Sequence, residues 1–118
     1  PVDSMERYRL MEWLNFISSE LHKQFSPLFN PAYPDAAKAI NREKLLERYA
    51  WVDTQLANRP YLMGEDFTVA DAYLFVVTRW TAPMQIDISS LPNLSAYMAR
   101  IAQRPAVQRA LREEELAA

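Results

Sequence analysis

The sequence predicts an all-α domain, and three observations carry that prediction. Apolar residues recur at helical spacing in several separate stretches. Prolines fall at the boundaries between those stretches and not inside regular strand-like alternation. The single glycine, Gly64, stands in a short connection between two of them. No run alternates apolar and polar residues in the way a half-buried strand does.

Leu10, Leu14, Ile17, Leu21 and Phe25 step by 4, 3, 4 and 4, so one long helix is expected from about Ser4 to Phe25, capped by Asp3 or Ser4. A loop containing three prolines, SPLFNPAYPD, follows. Asp35 can cap a second helix whose inner stripe is Leu45, Tyr49, Val52 and Leu56, with a charged outer face, and Asn58-Arg59-Pro60 ends it. Thr68 opens a third helix that stops before Pro83. Pro92 suits the first turn of a fourth helix, with Leu94, Tyr97, Met98 and Ile101 facing inward. Pro105 does the same for a short fifth helix, and Glu113, Glu114 and Glu115 form a solvated charge run.

Composition excludes several classes of function. The 118 residues fit one domain, and half are hydrophobic, enough for a sizeable core. A net charge of −2 gives no general attraction to nucleic acid or to an anionic membrane. No apolar stretch approaches the ~20 residues needed to span a bilayer, and PVDSMERYRL has no apolar signal core, so a cytoplasmic protein is expected. With no cysteine and one histidine there is no thiol nucleophile within the chain and no ligand set for a zinc site. One glycine rules out a glycine-rich phosphate loop.

The stretch Thr68-Val69-Ala70-Asp71 has the form of a capping box. The helix beyond it is apolar on every side, which predicts a helix inside the bundle. Its first N–H groups would then need partners other than water. Asp71 is therefore read as structural in preference to catalytic.

Met11, Asn15, Ser18 and His22 fall along one polar stripe of the first helix, beside the apolar one. That pattern suits the wall of a cleft, and equally an ordinary exposed helix face whose histidine sits near the C-terminus. Tyr73 and Trp80 are seven apart and share a helix face, while Phe25 and Phe29 flank the start of the proline loop. Aromatic faces suit flat hydrophobic ligands, but aromatics at this spacing also make core. Glu20 and His22 are two apart and point different ways, so no nucleophile–base set is formed.

Gly64-Glu65-Asp66-Phe67-Thr68-Val69-Ala70-Asp71 resembles the G-x-x-hydrophobic-[ST]-x-A-D signature of the glutathione transferase C-terminal helical domain. Arg104-Pro105-Ala106-Val107 is similar to the RP-x-V turn near that domain's end, and EWLNFISSELHKQFSPLF resembles the bacterial beta class. The resemblance spans essentially the whole chain. It implies a helical bundle that belongs after an N-terminal thioredoxin-like domain, which carries most of the glutathione site and is not in this sequence.

It further implies a homodimeric enzyme that conjugates glutathione, as co-substrate and not as a cofactor, to a small electrophile. His22 and Lys23 match the beta-class His-Lys pair that contacts glutathione. Asn15 matches an asparagine that reaches the neighbouring subunit's glutathione. Phe25, Phe29, Tyr73 and Trp80 match aromatic positions around the electrophile. Helical domains of this type also serve as non-catalytic interaction modules. Such a module would expose an apolar patch where this chain carries its polar stripe.

Overall fold

The computed structural model describes residues 4–117, with side chains as far as Glu114. The described residues are helices and connections. They comprise α1 (Met5–Phe16), α2 (Lys23–Phe29), α3 (Asp35–Gln55), α4 (Val69–Thr78), α5 (Pro92–Ala102) and α6 (Pro105–Ala117). None of these helices is long and apolar enough to cross a membrane. Ser4 caps α1, its hydroxyl accepting the Arg7 N–H at 3.2 Å, whereas Asp3 lies outside the described residues. Glu113 and Glu114 are exposed, and the side chain of Glu115 is not among those described.

Between α1 and α2 the helix does not stop but widens into a π-helical turn, Ile17–His22. In an α-helix, positions four apart drift by about 40° per step. Two such steps separate Ile17, Leu21 and Phe25, and the wider turn keeps all three on the core side, each fully buried. The rod then continues through SPLF to Phe29, four residues beyond the expected end and with Pro27 inside it. Leu28 explains the extension: it is buried on the same face as Phe25, and that packing outweighs the hydrogen bond Pro27 cannot make. Arg48 on α3 bonds Glu20 at 2.6 Å and Asn41 bonds the Gln24 carbonyl at 3.1 Å, fastening the rod to α3.

Leu45, Tyr49 and Val52 form the buried stripe of α3 as their spacing predicts, and Leu56, the residue that caps its end, is buried with them. Asp35 is the first residue of that helix, not its cap, and there favours the positive end of the helix dipole. Leu94, Tyr97 and Ile101 complete the core from α5. Gly64 adopts φ +120, a conformation that favours glycine, and pairs with Tyr61 through two 3.0 Å backbone bonds.

One expectation is corrected. Helix α4 is not enclosed on all sides. Ala70, Leu74, Phe75 and Val77 are buried, but Val69 is 60% exposed and Val76 49%, with Ala72 exposed between them. An apolar stripe at i, i+3 and i+7 therefore faces outward, because the bundle reaches α4 from one side only.

The buried phenols of Tyr49 and Tyr97 predict an alkaline limit to stability. Burial pushes both hydroxyls above their ordinary value of 10.0, and the Asp71 carboxylate pushes Tyr97 further. A group whose folded value is raised contributes stability that is complete below the unfolded value and is lost as pH rises beyond it. The urea midpoint should therefore fall steeply above about pH 10, where unfolded tyrosine ionises. The double variant Tyr49→Phe, Tyr97→Phe should show a shallower fall. An equal slope in both proteins would refute this account.

Candidate functional site

The site is built where the end of the π-turn meets the exposed side of α4. His22 is the last residue of the π-turn and is exposed. Its Nδ1 lies 2.6 Å from the Tyr73 hydroxyl, and the two rings meet edge-on at 5.6 Å. Trp80, in the 3-10 turn Arg79–Thr81 that ends α4, stands edge-on to His22 at 5.2 Å. Phe25 and Phe29 meet the same indole edge-on at 5.6 and 5.5 Å. Edge-to-face contacts at these separations are the arrangement aromatic rings prefer. Phe25, Phe29 and Tyr73 thus converge on His22 and Trp80, and the five residues come from positions up to 58 apart in the chain.

The five aromatic and imidazole rings do not play equal parts. Phe29 is 50% exposed, while Tyr73 and Trp80 are half-buried. Phe25 has no exposed surface, so it backs Trp80 from the core side. This revises the expectation for Phe25, since a ring sealed in the core cannot touch a ligand. Lys23 is exposed and lines a shallow hollow with Ser18, His22 and Ser26. Asn15 is exposed two turns upstream, does not line that hollow, and offers its carbonyl to the Ser19 hydroxyl at 2.9 Å.

Glu20 is held by Arg48, away from the imidazole, as its position two residues from His22 predicts. Arg79 reaches Glu114 at 3.5 Å, an exposed pair that contributes little. No cluster of metal-ligating side chains occurs among the described residues.

Thr68 and Asp71 hold the capping-box positions at the start of α4, where the Asp71 N–H donates to the Thr68 carbonyl at 3.0 Å. The Asp71 carboxylate accepts from the Thr68 N–H at 2.8 Å and the Thr68 hydroxyl at 3.3 Å. It accepts as well from the Leu62 N–H at 3.0 Å and the Tyr97 hydroxyl at 2.8 Å. A fully buried carboxylate with four donors around it is a structural hub.

Sequence reasoning missed a second buried carboxylate. Asp53 on α3 accepts the Leu94 N–H at 2.8 Å, and the Asn93 side-chain amide reaches it at 3.4 Å. It caps α5 from another helix. The available signal was Leu91, which holds the N-cap position of α5 and has no side-chain acceptor.

An all-α domain with a histidine set against a wall of aromatic rings is the class that fold and site define. The chain belongs to the glutathione S-transferase C-terminal domain family, whose profile matches residues 16–105. It is 43% identical over 116 residues to glutathione S-transferase GstA of Escherichia coli O157:H7, covering 98% of this chain and 58% of that protein. It is 38% identical over 117 residues to glutathione S-transferase GST-4.5 of Xanthomonas campestris pv. campestris, covering 93% and 57%.

Among solved structures it superposes on BphK, a bacterial transferase captured in a ternary complex, with a TM-score of 0.93 and 54% identity over 96% of this chain and 56% of that one. A sphingomonad glutathione S-transferase complexed with glutathione gives a TM-score of 0.93 and 46% identity, covering 98% and 58%. The chain therefore spans a little over half the length of these relatives.

Proposed function

We propose that this chain is the helical substrate-binding and dimerisation domain of a cytoplasmic glutathione transferase, one that conjugates the glutathione thiolate to small hydrophobic electrophiles. The observation that carries the reading is His22, held at one ring nitrogen by Tyr73 and set against Trp80 at the edge of an open hollow. A hydrogen-bond donor aimed at a thiol sulfur favours the thiolate, which is the nucleophile. His22 supplies that donor; the thiol proton passes to solvent, and the thiolate sulfur bonds the electrophilic carbon of an activated aryl halide as the carbon–halogen bond breaks and halide leaves with its electron pair. Lys23, beside it on the rim, suits a glutathione carboxylate. Asn15 is assigned to the glutathione of the partner subunit in a homodimer. Phe29, Tyr73 and Trp80 form the wall against the electrophile, with Phe25 behind them.

The outward apolar stripe of α4, Val69, Ala72 and Val76, fits burial under a thioredoxin-like domain in the longer protein. That domain would bind most of the tripeptide. An antibody raised against the chain should detect a band of roughly twice its mass in native extract, as a second domain of ordinary size requires. A band at the mass of the chain with no longer form would replace this reading with a protein-interaction module. In the longer protein, His22→Ala should lower kcat/KM for an activated aryl halide about tenfold, some 1.4 kcal/mol of transition-state stabilisation, at unchanged melting temperature. Undiminished conjugation would remove His22 from the chemistry.

A further inference from the structure

Tyr73 is half-buried on α4, beside the fully buried Leu74, and belongs to a helix anchored at its start by the Asp71 hub. Its hydroxyl makes one hydrogen bond among the described residues, the 2.6 Å contact with Nδ1 of His22. Among the described residues no carboxylate is bonded to His22. The acid two residues away, Glu20, is engaged by Arg48 at 2.6 Å. The phenol is therefore the group that decides what the imidazole can do.

Two arrangements satisfy this bond. In one, the phenol O–H donates to an unprotonated Nδ1, and the ring proton sits on Nε2. In the other, Nδ1–H donates to the phenol oxygen. The second leaves the phenol proton to solvent and gives up its bond to the imidazole nitrogen. It also uses a phenol oxygen as acceptor where an imidazole nitrogen, the better base, is available. In the neutral ring, the nitrogen that carries the proton is set by the bond the other makes.

We infer that Tyr73 is a positioning residue that holds His22 in the Nε2–H tautomer, so that Nε2, the nitrogen not bonded to Tyr73, is the donor. This inference rests on the transferase reading for its purpose, since a thiolate needs a donor there, but the bond itself belongs to this chain. It also gives Tyr73 a task distinct from lining the electrophile wall. The π-turn serves the same end: it brings His22 to the side of the rod that α4 meets, while Ile17, Leu21 and Phe25 stay in the core.

The chain holds one histidine, so its imidazole nitrogens give a single, assigned pair of nitrogen-15 resonances. Long-range proton–nitrogen correlation spectra of the intact chain, on the basic side of the imidazole titration, should show a protonated Nε2 and a hydrogen-bonded, unprotonated Nδ1. In Tyr73→Phe the Nδ1 resonance should move to that of a water-solvated ring. The ratio of the two tautomers should drop about fivefold, the factor for one ordinary hydrogen bond. Finding the proton on Nδ1 in the unmodified chain would overturn the inference without any variant. So would an unchanged spectrum in Tyr73→Phe. A glutathione titration of the longer protein that left Nε2 unmoved would instead count against the transferase reading, and the tautomer result would stand.

Discussion

Replacing Asp71 with alanine is expected to destabilise the chain by about 4 kcal/mol and to lower its melting temperature by about 15 °C. The carboxylate is fully buried and accepts from Leu62, Thr68 and Tyr97. The alanine variant leaves the Leu62 N–H and the Tyr97 hydroxyl without partners in a site closed to water. Each orphaned donor costs about 1–3 kcal/mol. Loss of the cap at the start of α4 adds about 1 kcal/mol.

Asp71→Asn separates shape from charge. Its amide oxygen can serve Leu62 and Tyr97, but its NH2 would then face the Thr68 N–H, donor against donor. The asparagine variant should lie between wild type and alanine. Differential scanning calorimetry reads both. A melting temperature within a degree or two of wild type for Asp71→Ala would remove the carboxylate from the fold's architecture. The tautomer of His22 in the folded fraction should be unchanged, since the Asp71 carboxylate is turned to Leu62, Thr68 and Tyr97 and the His22 nitrogen bonds Tyr73 instead.

The second large effect concerns Asp53. Asp53→Ala should cost about 2 kcal/mol and about 8 °C. It removes the acceptor from the Leu94 N–H, a buried bond of 2.8 Å, and with it the cap of α5. Because the cap comes from another helix, the loss has a local signature. Amide exchange at Leu94 should quicken more than exchange in the middle of α4. A uniform change across the chain would show that Asp53 acts only through global stability.

Most of the framework was written in local sequence. The stripes of α3 and α5 follow from helix geometry alone, and every stripe residue of α3 is buried where its spacing puts it. Pro92 and Pro105 begin their helices because proline suits a first turn. The capping box was legible because its partners are three residues apart. The candidate site was legible in part. His22, Phe29, Tyr73 and Trp80 do come together, while Phe25 is sealed behind them.

What the sequence determined by itself were relations within a few residues: helix starts, buried faces and the Thr68–Asp71 cap. These depend on backbone geometry that repeats at every turn. The tertiary structure alone decided the rest. It set the π-turn at Ile17–His22, the run of α2 through Pro27, the open stripe of α4, and the two long-range partnerships of Asp53 with Leu94 and His22 with Tyr73. Those pairs lie 41 and 51 residues apart. Spacing along one helix carries no information about which residue of another it will meet. Only the docking of the helices, driven by burial of their apolar stripes, brings such groups within hydrogen-bond distance.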